Sequence, residues 1–302
     1  MPESRRGLLL GVAAYAMWGA FPLYWPLLEP AGAFEILAHR VVWSFVVMGL
    51  LVLGVRRVGH LRAILADRRV FLVLCGAALT VSVNWVTYIW AVNNDHVVES
   101  SLGYFINPLV SVLMGIMILG ERLRGLQWVA VGVALVAVAV LAVDYGRLPW
   151  IALILAFSFG TYGLAKKIAN VGAVESLTLE TMLIAPFALT YLLWLTAQGR
   201  SHFLSEGVGH AVLLASTGVV TAVPLLCFGA AATRIPLVTI GLLQYLAPVF
   251  QFALGVLWFH EPMTRGLWAG FVLVWIALAI FTTEAVLYRR QQLQESVAAS
   301  AI

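Results

Sequence analysis

Residues 101–124 read SLGYFINPLVSVLMGIMILGERLR, an apolar run with an asparagine and a proline side by side near its centre. Proline inside a helix removes one backbone hydrogen bond and crowds the carbonyl four residues earlier. The stretch becomes intelligible beside a second one. Residues 103–128, GYFINPLVSVLMGIMILGERLRGLQW, align without a gap with residues 243–268, LQYLAPVFQFALGVLWFHEPMTRGLW. Pro108 falls on Pro248, Gly115 on Gly255, Glu121 on Glu261 and Trp128 on Trp268, each at an offset of 140. Asn84 falls on Pro224 at the same offset, while Gly19 and Phe21 fall on Gly160 and Tyr162 at 141. The chain therefore reads as two copies of one unit, and a repeat decides architecture before any single motif does.

Composition says what solvent surrounds the units. Of 302 residues, 62% are hydrophobic and 11% are charged, against about 25% charged in soluble domains. Mean hydropathy is +0.97. These values place the chain in a bilayer. Ten stretches are long enough to cross one, near 7–28, 35–55, 70–92, 98–119, 126–143, 150–168, 177–196, 209–230, 237–259 and 265–287. The expected fold is an all-α membrane protein. A cytoplasmic tail (1–6) precedes a first five-helix repeat (7–146), a second, inverted repeat (147–287) and a cytoplasmic tail (288–302). The N-terminal MPESRRG leads into a first span rather than a cleaved signal peptide. Cys75 and Cys227, both in apolar runs, read as small hydrophobes.

The isoelectric point near 9.3 raises the question of nucleic acid, but the basic residues form no single patch. They sort by membrane side instead. With the N-terminus inside, fourteen of the 18 Lys and Arg fall on the cytoplasmic side: Arg5 and Arg6, the five arginines of 56–69, Arg122 and Arg124, Lys166 and Lys167, Arg234, Arg289 and Arg290. The other four, Arg40, Arg147, Arg200 and Arg265, fall outside. This bias is the positive-inside rule, and it fits ten spans with both termini inside. Five spans per unit is an odd number, so the second unit inserts upside down. Inverted repeats of this kind mark secondary transporters, because the two copies can exchange conformations.

Ionisable groups at membrane depth are costly and are candidates for function. In EILAHRVVWS, Glu35 and His39 share a helix face, and Arg40 lies about 9 Å into its span at 1.5 Å per residue. Two readings are open: a charged outer site that holds an anion or couples a proton, or a structural Arg–Glu lock with Arg40 snorkelling. His39 alone reads as a packed polar residue. Glu180, near the cytoplasmic end of the seventh span, either carries a proton or pairs with Lys166 or Lys167. Asn84 and Tyr88 lie one turn apart. Tyr104, Asn107, Gln244 and Tyr245 stand beside Pro108 and Pro248 on the two related helices, where the prolines allow bending. These stripes form either helix–helix contacts or the wall of a shared cavity. The same wall takes Trp18 and Trp85, whose rings suit an aromatic or amphiphilic solute. The fifth and tenth spans are expected at the periphery, facing lipid or a second protomer, which gives a homodimer through that pair.

An enzyme is the rival reading. His260-Glu261 begins a HExxH pattern, but residue 264 is Thr, so the second zinc ligand is absent. The sequence has no GxSxG elbow and no P-loop. No catalytic residue, metal or cofactor is expected.

The stretches AAYAMWGAFPLYW, EILAHRVVWSF, NWVTYIWAVNNDHVVESSLGYFINPLVSVLMGIMILGERLRGLQW, IALILAFSFGTYGLAKK, LETMLIAP, VTAVPLLCFGAAATRI and GLLQYLAPVFQFALGV resemble the RarD branch of the EamA group, in the drug/metabolite transporter superfamily. The resemblance covers almost the whole chain and leaves out only the C-terminal tail and the loop at 197–208. It implies a ten-helix inverted repeat in the bacterial inner membrane, with a small-molecule cavity between the halves. It also implies export of small organic metabolites or drugs by alternating access. Distant members that move lipid-linked sugars supply the alternative, a lipid-handling subunit without a solute cycle.

Overall fold

The computed structural model describes residues 3–55, 58–119, 124–235, 239–240 and 243–300. Glu121 and Arg122, which entered the repeat and the charge count, lie outside these residues, as do Arg56 and Arg57. Among the described residues every regular element is a helix. In chain order they are α1 (Glu3–Gly19), α2 (Phe21–Tyr24), a 3-10 turn (Trp25–Leu28), α3 (Ala33–Gly54), α4 (Val58–Ala66), α5 (Arg68–Asn93), α6 (Val97–Leu119) and α7 (Gly125–Tyr145). They continue with α8 (Trp150–Ala169), α9 (Ala173–Ala197), α10 (Gly207–Ala232), α11 (Leu246–Leu257) and α12 (Arg265–Ser300).

Local chemistry explains the ends. The Asp67 carboxylate accepts from the Arg69 and Val70 amides at 2.9 and 3.1 Å, which satisfies the first turn of α5. Gly146 closes α7 with φ +62°, a conformation that costs glycine little. The expected first span, 7–28, is not one straight helix. Pro22 and Pro26 open two successive short elements, and α1 is bent by 46° against the segment Phe21–Leu28.

Among the described residues seven helices are long and apolar enough to cross a bilayer, or eight if the bent pair counts as one span. Only 28–44% of each of the seven spans is buried, and large apolar side chains such as Leu50, Leu135 and Phe187 lie exposed. Apolar helices left this bare need a hydrocarbon solvent.

The packing has a regular pattern. α7 packs on α12, α3 on α9, and α6 on α11. α8 packs on α5 and α6, as α1 packs on α10 and α11. α10 packs on α3, as α5 packs on α9. Exchanging the first-half helices α1, α3, α5, α6 and α7 with α8, α9, α10, α11 and α12 reproduces the same set. The correspondence reaches single residues. A Cβ built on Gly19 would stand 2.7 Å from Phe250 Cβ and 3.2 Å from the Ala247 carbonyl oxygen. One built on Gly160 would stand 3.2 Å from Val110 and 3.5 Å from the Asn107 amide oxygen. Residues 107 and 247, and 110 and 250, occupy matching places. At one end of the α7–α12 pair Arg124 Nη2 donates to Glu284 Oε2 at 2.8 Å; at the other the Thr264 hydroxyl donates to Asp144. These are also matching positions, 124 with 264 and 144 with 284.

The two prolines behave differently. α6 continues through Pro108. In the other half the chain turns at Gln244 and Tyr245, and α11 starts at Leu246 with Pro248 in its first turn. The two prolines thus sit differently in their helices, one inside a continuous helix and one in the first turn of a helix.

Candidate functional site

The side chains singled out in the sequence do not form one cluster. They divide into three groups along the contact between the halves. The first is at the mouth beside α3. Glu35 is buried and accepts from the His202 backbone amide at 2.7 Å, and its other oxygen meets His202 Nδ1 at 2.7 Å. Glu35 does not pair with Arg40, so the Arg–Glu lock is not formed. The reason is geometric: positions 35 and 40 are five apart, and Glu35 turns towards the 201–203 turn. His39 stacks on Phe203 at 4.8 Å, and neither ring nitrogen has a hydrogen-bond partner among the described residues. A cleft of about 440 Å³ opens here, lined by Glu35, Tyr191, Arg200 and His202 among others.

The second group surrounds Arg40, which is 4% exposed. Its guanidinium carbon lies 3.9 Å from the Trp85 ring centre, 5.1 Å from Trp25 and 5.7 Å from Phe21. Its Nε donates to Thr221 Oγ1 at 2.9 Å. Among the described residues no carboxylate comes within ion-pairing distance of it, and Thr221 is the one hydrogen-bond partner of its guanidinium. Cation–π contacts are worth about 0.5–2 kcal/mol each, less than the several kcal/mol that removing an ion from water costs. Tyr88 and Trp25 are buried, and among the described residues neither the Tyr88 hydroxyl nor the Trp25 indole N–H has a partner.

The third group is closed. Glu180 Oε1 accepts from Lys166 Nζ at 2.9 Å and from the Ser176 hydroxyl, and Oε2 accepts from Tyr162 at 3.1 Å. Of the two readings of Glu180, the structure forms the pairing, with Lys166. Tyr162 and Lys166 stand at the matching places of Phe21 and Trp25, and Glu180 at that of Arg40. Arg40 is thus a cation in an aromatic cage, and the residue 140 positions on, Glu180, is an anion with its own cation.

The remaining expected residues are dispersed. Both Asn84 amide hydrogens are engaged, with the Leu155 carbonyl and Ser158, each at 3.1 Å, and its oxygen accepts from Tyr104 at 3.0 Å. That amide joins α5, α6 and α8. Trp18 packs edge-on to Tyr15, and its carbonyl accepts from Gln251 Nε2 at 3.3 Å. The Asn107 amide oxygen has no partner among the described residues and faces Gly160. Tyr245 packs against the α6–α7–α12 core, so it does not join the Arg40 group. Gln244 lies in the turn before α11, its backbone N–H donating to the Ile240 carbonyl at 3.0 Å.

Sequence reasoning passed over His202, Thr221, Ser176 and Tyr162 as site residues. Ser176 stands one turn before Glu180, and Tyr162 aligns with Phe21, so both carried a signal. His202 carried none, because it lies in the loop set aside as undiagnostic.

Glu261 also matters outside the spans. It accepts from the Val97 and Val98 amides at 2.5 and 2.9 Å and so caps α6. Burial pushes its carboxyl up to about 7, against the two amides, which favour the anion; Asp95 and Glu99 add to the rise. The folded protein therefore holds a proton here between pH 4.5 and 7 that the unfolded chain has released. Stability contributed by this group falls as pH rises through that window. Melting temperatures of the wild type should decline from pH 4.5 to 7 relative to Glu261→Gln. Parallel curves for the two proteins would refute the assignment.

Apolar helices with this much exposed apolar surface define a multi-pass membrane protein. The EamA-like transporter family model matches twice, over residues 5–143 and 148–283. Protein RarD of Streptomyces exfoliatus is 62% identical over 283 residues, covering 94% of this chain and 90% of that relative. Protein RarD of Escherichia coli K12 is 42% identical, covering 96% and 98%. The chloramphenicol-sensitive protein RarD of Pseudomonas aeruginosa is 31% identical, covering 98% and 100%. The chain belongs to the EamA family, part of the drug/metabolite transporter superfamily. A solved crystal structure with 21% identity shares the fold at a TM-score of 0.57, over 94% of this chain and 98% of that one.

Proposed function

We propose that this protein is a secondary transporter that exports small organic molecules across a bacterial inner membrane by alternating access. Ten spans, N-in and C-in, form an inverted five-plus-five repeat, with the polar seam as the route. The observation that carries this reading is the exchange pattern of the packing: helices of one half rest chiefly on helices of the other. The two successive family matches support the same division. Such an arrangement lets two conformations of similar energy interconvert by swapping roles.

In this reading the Glu35–His202 contact closes the outer mouth, since it ties α3 to the turn ahead of α10. The Lys166–Glu180 pair serves as an anchor rather than a proton carrier. The polar contacts at both ends of α7 and α12 hold that pair together outside the route, where its bare outer face meets lipid or a second protomer. The drug phenotype in one relative's name supports small organic solutes as cargo.

The test is counterflow in proteoliposomes with a panel of labelled amphiphilic solutes, with and without a proton gradient. Saturable exchange of at least one solute is expected. No exchange of any solute, together with co-purified lipid-linked glycan, overturns the proposal in favour of a lipid-handling subunit.

A further inference from the structure

We propose that Arg40 recognises an anionic oxygen group on the solute, with the chemistry of a carboxylate, at the contact between the two halves. The assignment rests on the transport reading for the word solute, and on geometry for the rest.

Three observations converge. First, the guanidinium is buried, and Thr221 on α10 is its sole hydrogen-bond acceptor among the described residues. Second, the unpartnered polar atoms beside it include two further donors, the Trp25 indole N–H and the Tyr88 hydroxyl. Donors in excess of acceptors suit an oxyanion, and the planar guanidinium fork matches a carboxylate in two parallel bonds. Third, the counterpart position is already neutralised. Glu180 has Lys166, Ser176 and Tyr162 around it, whereas Arg40 has ring faces. The charge missing at Arg40 is one negative unit, which a monoanion supplies and a cation or a neutral amide does not. The faces of Trp85, Trp25 and Phe21 select an apolar or aromatic body on that anion. The favoured ligand is an aromatic or apolar monocarboxylate.

A phospholipid headgroup carries similar chemistry, so the experiment separates the two sources. The full-length protein in detergent is titrated by calorimetry with benzoate and, in parallel, with benzamide, which has the same ring and no charge. Saturable benzoate binding is expected, weakened at least about tenfold for benzamide and for Arg40→Gln, as loss of a charge-assisted pair implies. Equal binding of benzoate and benzamide overturns the proposal, and so does full benzoate affinity in the variant. The benzoate–benzamide contrast in the unaltered protein stands even if the variant fails to fold. In a third arm the protein is reconstituted in nanodiscs of zwitterionic or of anionic phospholipid. Loss of benzoate binding in the anionic discs alone assigns the site to lipid and overturns the solute reading. Benzoate binding without counterflow of any solute overturns the transport function and leaves the anion site standing. Counterflow of neutral solutes in a protein that binds no benzoate does the reverse.

Discussion

Replacing Lys166 with methionine is expected to destabilise the protein more than replacing Lys166 and Glu180 together. The single variant leaves the Glu180 carboxylate buried at 2% exposure with the Ser176 and Tyr162 hydroxyls as its partners among the described residues. Removing one member of a buried ion pair costs about 3–5 kcal/mol, because the survivor is uncompensated, whereas exchanging both for apolar residues is often neutral. Lys166 also bonds Ser176, so its loss opens two contacts. Lys166→Met should therefore melt well below the wild type, and Lys166→Met/Glu180→Met should melt near it. A double variant as unstable as the single one would show that the pair is not the source of the cost. The double variant has a second use. If Glu180 only anchors α8 to α9, counterflow survives the double exchange. Loss of proton-dependent counterflow in a well-folded double variant would restore Glu180 to the transport cycle.

Much of this arrangement was legible in the sequence because its signals are local. Apolar runs of about 20 residues mark helices whatever they pack against, and the offset of 140 or 141 needs only the order of residues. The offset also located contacts: Gly19 with Gly160, and Phe21 with Tyr162, fall at equivalent places in the structure. The failures concern partners chosen in three dimensions. Glu35, His39 and Arg40 are neighbours in sequence, and spacing suggested one cluster. The structure gives each a different environment: a histidine from a distant loop, a phenylalanine face and an aromatic cage. No periodicity specifies which helix supplies those partners. Asn84 and Tyr104 illustrate the same limit. An amide at membrane depth signals a polar demand, but only the packing shows that the demand is met by Leu155, Ser158 and Tyr104.

The prolines show how matched residues can sit in different local settings. Pro108 and Pro248 match in sequence, and a bend was expected at each. The residues before them differ, Asn107 against Ala247, and so do their surroundings. The Asn107 amide meets Gly160, while Ala247 sits against Gly19 through its carbonyl.

Glycine substitutions on α10 are expected to have opposite effects a few turns apart. A Cβ on Gly218 would stand 2.5 Å from both the carbonyl carbon and the oxygen of Trp43 on α3. Those are backbone atoms and cannot rotate away, so α3 and α10 must separate. Overpacking of this kind costs about 1–3 kcal/mol and occasionally more. Gly229 lies on the same helix with nothing within 4 Å of a built Cβ, and there alanine removes the helical penalty of glycine, about 0.5–1 kcal/mol. Gly218→Ala should therefore lower the melting temperature and Gly229→Ala should raise or preserve it. The functional consequence follows from position. Trp43 is three residues after Arg40, and Thr221 is three residues after Gly218, so the tight glycine contact sets the distance across which Thr221 Oγ1 accepts from Arg40 Nε at 2.9 Å. Pushing the helices apart at Gly218 disturbs that bond. Benzoate affinity should then fall in Gly218→Ala and stay unchanged in Gly229→Ala. If Gly218→Ala loses stability while benzoate affinity is untouched, the close approach of α3 and α10 supports the fold without positioning Arg40.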